Sequence, residues 1–241
     1  MHPRTAQYLQ SILFLDIETA TIAPTFAQLT APMQVFWQQK ATLFPTLTPA
    51  EAFEQEAALY AEFAKIICIG VGLLVFDDAE QTPTLRVKAF SAQDEPSLLH
   101  TFQTLLENRQ LKNRQRLVAH NGKEFDYPFL CRRMLINGFP LPPALQGLKA
   151  KPWENPHLDT MEMWRFGDRR NFTSLPLLAH LLNVPATPDS LDSKKISSLY
   201  HQGEPLSNIE AHCRHHVALT AQVFLALNQL PVLELSQIVE A

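Results

Sequence analysis

The chain has 241 residues, 46% of them hydrophobic, which is enough to bury one sizeable core or two small ones. With 18% charged residues, a net charge of -4 and a pI of about 6.1, it lacks the basic surface of a protein that coats nucleic acid indiscriminately, so any such ligand must be held locally. Cys68, Cys131 and Cys213 are widely spaced with no CxxC pair, which argues against a disulfide framework or a thiolate zinc site and for a reducing, cytoplasmic setting. No segment approaches the roughly 18 apolar residues of a bilayer span, so a soluble chain with no membrane partner is expected.

In chain order, the apolar and partly β-branched run Ile12 to Ile17 reads as a first, buried strand that ends around Asp16 and Glu18. Residues 20 to 64 carry Pro24, Pro32, Pro45 and Pro49 and then the acidic stretch EAFEQEAALYAEFAK, which together read as an arm followed by one helix. Ile66 to Phe76 forms a second strand, in which Gly70 and Gly72 suit close approach by a neighbouring backbone. TLRVKAF alternates as a third strand. From Glu95 to Asn108, Leu98, Leu99, Phe102, Leu105 and Leu106 fall at helical spacing, with Pro96 tolerated in the first turn.

RLVAHN follows as a fourth strand, and Phe125 to Asn137 as a helix stopped by Asn137-Gly138. HLDTM reads as a short fifth strand. A helix near Ser174 to Leu182, a Pro- and Ser-containing connection and a long helix from about Leu206 to Leu230 complete the chain. Three strands, a helix, a strand, a helix and a strand predict a mixed five-stranded α/β sheet with helices on both faces. No repeat, low-complexity tract or linker divides the chain, so a single domain over 1-241 is expected, with the arm and helix at about 20-64 inserted.

Asp16 and Glu18 stand two apart on a strand, which points both carboxylates to one face. That arrangement holds a divalent metal, or it is a pair of acids near solvent. AHNGKEFDYPFL places Asn121, Phe125 and Asp126 where a strand passes into a helix, and there the helix dipole stabilises a carboxylate; Asp126 is then either a third member of the same cluster or an N-terminal cap. His120, beside Asn121, reads as structural. Only seven glycines occur, with no GxGxxG, GxxxxGK[ST] or GxSxG, so dinucleotide, P-loop and serine-hydrolase chemistries have no anchor.

Taken together, FLDIET, YAEFAKIICIGVG, HNGKEFDYPFL, HLDTMEMWRFGDRRNFTSLPLLAHLLNVP and HCRHHVALTAQVFLAL resemble the DEDD 3'-5' exonucleases, and within them the stand-alone enzymes related to the proofreading domain of family B DNA polymerases. The resemblance runs from about residue 12 to 228, with the N-x3-F-D pattern of HNGKEFD its most specific part. It implies a ribonuclease H-like fold and metal-site positions at Asp16, Glu18 and Asp126. The third motif departs: where the family has Y-x3-D, with a tyrosine that orients the attacking water and a metal-binding aspartate, this chain has His212 and His216. One helical turn apart, the two histidines share a face with Cys213, Val217 and Thr220. They are either working parts of the site or partly buried residues at a decayed one.

The activity implied is two-metal hydrolysis of phosphodiester bonds, with two Mg²⁺ or Mn²⁺ ions held by Asp16, Glu18, Asp126 and His216, and with His212 beside them. Imidazole in place of aspartate favours Mn²⁺ or another transition ion over Mg²⁺. The expected partner is a single-stranded DNA or RNA 3' end, held by Asn121, Phe125, Lys123 and Arg169, with Arg132, Arg133, Arg165, Arg170, Lys194 and Lys195 as further basic groups. The alternative is a catalytically impaired module that binds nucleic acid or a protein partner.

Overall fold

The computed structural model describes residues 2–76, 83–108, 116–146, 155–168, 170, 172–189 and 191–241. A first helix, α1 (Pro3–Gln10), leads into β1 (Ile12–Thr21), which is followed by α2 (Ala31–Ala41) and α3 (Pro49–Glu56). The strands β2 (Ala64–Phe76) and β3 (Pro83–Ser91) come next, then α4 (Glu95–Glu107), β4 (Arg116–Ala119), α5 (Asp126–Ile136), the short α6 (Pro143–Gln146), β5 (Leu158–Asp159) and α7 (Thr160–Arg165). The chain ends with α8 (Leu175–Leu181), α9 (Ile196–His201), α10 (Leu206–Leu227) and β6 (Ile238–Glu240).

The sheet runs in the order β5-β4-β1-β2-β3-β6. β1, β2 and β3 are antiparallel neighbours, while β4, β5 and β6 join in parallel. This is the expected mixed sheet with helices packed on it, but it has six strands rather than five. The addition, β6, is three residues long and pairs with β3, and nothing in so short a segment signals an edge strand locally. The first strand also runs on to Thr21, because Thr19 to Thr21 resume pairing with β2 beyond an irregularity after Glu18. Asp16 and Glu18 therefore lie inside the strand and not at its end. HLDTM splits differently from expectation: only Leu158 and Asp159 are strand, and Thr160 starts α7.

The segment read as an arm and one helix holds two. Pro32 sits in the first turn of α2, where its missing N–H costs nothing. Thr48 and Glu51 cap α3 reciprocally. Trp37 ties the two together: its ring meets Phe53 and Phe63 edge-on at 5.4 and 4.9 Å, and its Nε1–H donates to the Pro49 carbonyl at 2.7 Å.

Strand alternation sorts β1 between two helical layers. Leu13, Leu15 and Ile17 pack with residues of α4 and α5, such as Leu99, Phe102 and Leu130. Ile12 and Phe14 pack on the opposite face with Val217, Ala221 and Phe224 of α10. Asp16 and Glu18 continue that second stripe, so the face that is apolar at one end of the strand becomes acidic beneath α10. Gly70 and Gly72 let α10 approach as expected: a Cβ on Gly70 would stand 2.7 Å from Cys213 Sγ and 2.8 Å from Val217 Cγ2, and one on Gly72 would stand 2.6 Å from Val217 Cγ1.

His157, fully buried ahead of β5, accepts a hydrogen bond from the Leu117 amide at Nδ1 (3.1 Å). Burial lowers its pKa to about 4, with the Ala144 carbonyl opposing. Because the unfolded chain binds this proton near pH 6.5 and the folded chain does not, the stability it supports is complete above that pH and is lost as the pH falls toward 4, by roughly 3 kcal/mol. His157→Asn, which keeps an acceptor without titrating, is expected to flatten the acid limb of the thermal midpoint; identical limbs for variant and wild type would contradict this.

Candidate active site

Four sequence-selected residues, Asp16, Glu18, His212 and His216, meet under the N-terminal half of α10, and a fifth, Asp126, stands close enough for its charge to act on Glu18. Asp16 and Glu18 project from β1, paired across the sheet with Gly70 and Cys68, so glycine leaves room beside Asp16. Asp126 opens α5 and accepts the Ile17 amide at Oδ1 (3.2 Å), which fastens the helix end to the middle of β1. From α10, His212 Nε2 lies 3.4 Å from Glu18 Oε1, and His216 Nδ1 lies 4.0 Å from Asp16 Oδ2. Neither histidine faces solvent: the His212 side chain is fully buried and that of His216 is 14% exposed. Between them in sequence, Cys213 directs its thiol at Asp16 Oδ2 (3.5 Å), and burial pushes that thiol's pKa well up, so it acts there as a protonated donor.

The acids are held together at an electrostatic cost. Burial raises Glu18 well above the ordinary carboxylate range, and Asp16, Cys68 and Asp126 push the same way. Asp126 is likewise well raised, by burial and then by the charge of Asp16. Asp16 is raised by burial, with His216 opposing. Buried carboxylates that repel one another in this way mark functional sites more often than structural ones. The donor chemistry fits a divalent cation: one ligand atom each from Asp16, Glu18 and Cys213 lies within 4.8 Å of the others, and the same holds for Glu18, His212 and His216.

A family model described as a predicted 3'-5' exonuclease related to the exonuclease domain of PolB matches residues 58–235. The chain belongs to this family. The matched stretch begins after β1, so Asp16 and Glu18 lie outside it and join the site through the fold. Among solved structures, the family B DNA polymerase from the hyperthermophilic archaeon Pyrobaculum calidifontis superimposes with a TM-score of 0.53 and 11% identity, over 89% of this chain and 24% of that one. At that identity the likeness is one of fold, and the chain spans about a quarter of the polymerase's length. The comparison with curated proteins found no match.

Among the residues expected to hold substrate, Asn121 sits in the left-handed region (φ 65°), with Oδ1 buried and without a hydrogen-bond partner. Phe125 is half-buried and packs on Phe129. Lys123 is engaged by Glu162, Arg165 by Glu124 and Arg170 by Asp168. Arg133 is not a surface cation: it is buried in an ion pair with Glu95. Arg169 lies outside the described residues. His120, read as structural, has both ring nitrogens occupied, by the Thr160 hydroxyl (2.9 Å) and the Thr173 carbonyl (2.8 Å). No helix among the described residues is long and apolar enough to cross a membrane.

Two acids escaped the sequence reading. Asp159 accepts the amides of Asn121 (2.9 Å), Lys123 (3.0 Å) and Met161 (2.9 Å), which shapes the turn that delivers Asp126 and caps α7; its signal was a capping Asp immediately before TMEM. Asp189, in the connection after α8, accepts from His212 Nδ1 at one oxygen (2.8 Å) and from His216 Nε2 at the other (3.1 Å). Burial works to raise its pKa, but the His216 and His212 hydrogen bonds outweigh it and hold the carboxyl well below the usual range. No local pattern marks Asp189.

Proposed function

We propose that this chain hydrolyses phosphodiester bonds from the 3' end of single-stranded DNA or RNA, with two divalent cations, Mg²⁺ or Mn²⁺, held by Asp16, Glu18, Asp126 and His216. The observation that carries the reading is the convergence of Glu18 and the half-buried Asp16 with two imidazoles under α10, with the buried Asp126 close enough for charge repulsion among the three acids, in a chain of the exonuclease family. What bound cations supply to such a reaction is charge neutralisation at the phosphate and stabilisation of the attacking and leaving oxygens. The chain's part is to bring the carboxylates to one point from β1 and α5, and to place His212 where the related enzymes carry a tyrosine. The Asn121 amide, with its unpartnered buried oxygen, and the half-buried Phe125 ring flank Asp126 and suit a terminal nucleotide, while Lys123 and Arg169 suit its phosphates. A soluble, cytoplasmic protein built as a single domain accords with this role, and a protein partner is compatible with it.

The replacement of the fourth acid by His216 favours a second reading, an impaired module that binds nucleic acid without cutting it. Incubation with 3'- and 5'-labelled single-stranded DNA and RNA, in Mg²⁺ and separately in Mn²⁺, separates the two. Stepwise loss from the 3' end supports the nuclease. Binding without cleavage in either ion supports the module. His216→Asp combined with His212→Tyr is expected to raise the Mg²⁺-dependent rate, because it returns an oxygen ligand to a site whose other three acids are present; a lower rate in both ions would show the histidines to be working parts.

A further inference from the structure

Asp189 gives the two histidines a property that their positions alone do not. An ionised carboxylate only accepts hydrogen bonds, so both imidazoles must donate to it, His212 from Nδ1 and His216 from Nε2. Their opposite nitrogens, His212 Nε2 and His216 Nδ1, then turn toward Glu18 Oε1 (3.4 Å) and Asp16 Oδ2 (4.0 Å). In a neutral ring the inner nitrogen carries a lone pair; that of His212 also meets the Ser193 hydroxyl (3.3 Å), and both inner nitrogens stand where a shared proton or a bound cation would bridge them to the carboxylates. Histidines that bind metal ions characteristically donate their far N–H to a carboxylate, which fixes tautomer and ring orientation. Here one carboxylate serves two rings whose centroids are only 4.2 Å apart.

We propose that Asp189 is a positioning residue that holds His212 Nε2 and His216 Nδ1 toward Asp16 and Glu18, building a two-imidazole, two-carboxylate site selective for a transition-metal dication over Mg²⁺. The inference rests on reading the acids as a divalent-cation centre and goes beyond it in assigning ligand type, tautomer and selectivity. Mixed nitrogen and oxygen donors suit Mn²⁺, Co²⁺ or Zn²⁺, whereas Mg²⁺ is reluctant to exchange oxygen for nitrogen. Asp189 comes from the connection after α8, so it fixes the rings from the side remote from β1 without taking a place among the inner donors.

The test uses the full chain stripped of metal by chelation. Mg²⁺, Mn²⁺ and Co²⁺ are titrated calorimetrically, and the bound Mn²⁺ is read by pulsed electron paramagnetic resonance for nitrogen coupling. Wild type is expected to bind Co²⁺ and Mn²⁺ at least about 10-fold more tightly than Mg²⁺ and to show nitrogen coupling. Asp189→Ala is expected to weaken Mn²⁺ binding by about 10–100-fold, with Mg²⁺ binding little changed and with Asp189→Glu restoring part of the loss. Circular dichroism of each variant guards against misfolding. Mn²⁺ bound without nitrogen coupling, or Asp189→Ala within twofold of wild type, overturns the proposal while leaving a carboxylate centre standing; no binding of any of the three ions overturns both. Because binding is read without turnover, a chain that cuts no nucleic acid yet binds Mn²⁺ through nitrogen supports this inference and counts against the nuclease.

Discussion

Asp16→Ala is expected to abolish 3'-5' nuclease activity and to weaken Mn²⁺ binding by about 100-fold or more, the largest functional loss of any single substitution in the chain. Asp16 touches most parts of the centre: it lies beside Glu18 on β1, its charge raises the pKa of Asp126, its Oδ2 faces His216 Nδ1, and the Cys213 thiol donates to it. A methyl group replaces none of these contacts. The same substitution is expected to leave the metal-free fold intact or make it more stable by about 1 kcal/mol, because it removes one of several buried carboxylates that repel one another. Opposite signs for stability and activity mark a site kept for function. Metal titration, labelled-oligonucleotide turnover and urea denaturation on one preparation measure all three; full activity with an unchanged Mn²⁺ affinity would remove Asp16 from the site.

Arg133→Ala is expected to destabilise the fold by about 3–5 kcal/mol, the cost of leaving a buried charge without its partner. Arg133 on α5 donates to both oxygens of Glu95, from Nε at 2.9 and 3.2 Å, and to the Ala61 carbonyl at 2.8 Å. Glu95 at the start of α4 also accepts the Ile66 amide (2.8 Å) and the Asn137 side chain (2.9 Å). One ion pair thus joins the start of α4, the C-terminal end of α5 and the start of β2, and α5 carries Asp126 at its other end. Because Glu95 is 7% exposed, solvent cannot take over its unpaired charge. Replacing both partners with apolar residues, Arg133→Met and Glu95→Leu, is expected to cost much less than either single change, since no orphan charge remains. A loss below about 1 kcal/mol for Arg133→Ala, read from the urea midpoint, would contradict the account.

Sequence reading recovered the elements whose signal is local. The apolar runs of β1 and β2, the helical spacing of Leu98, Leu99 and Phe102 in α4 and the Asn137-Gly138 stop of α5 follow from patterns a few residues long. It also placed Asp16 and Glu18 on one face and put Asp126 at a strand-to-helix junction, because strand period and helix position settle those questions by themselves. It missed α2, whose prolines read as a loop although Pro32 occupies the tolerated first turn, and β6, which is strand only because β3 offers it an edge.

What sequence could not reach was partnership across distance. Arg133 looked like any basic residue of a helix, and its burial depends on Glu95 arriving from α4. Asp189, in a Pro- and Ser-containing connection, lies 23 residues from His212 and carries no periodicity, yet it bonds to both histidines. The sequence by itself determined most of the sheet-and-helix order and the acidic pair on β1, since each is written in neighbouring residues, whereas the expectation of a lost acid at position 216 came from the family resemblance. The tertiary structure alone decided that the histidines turn inward and that a carboxylate holds them from behind. Ring orientation is set by hydrogen bonds between segments that meet only once the sheet, α10 and the connection after α8 have packed together.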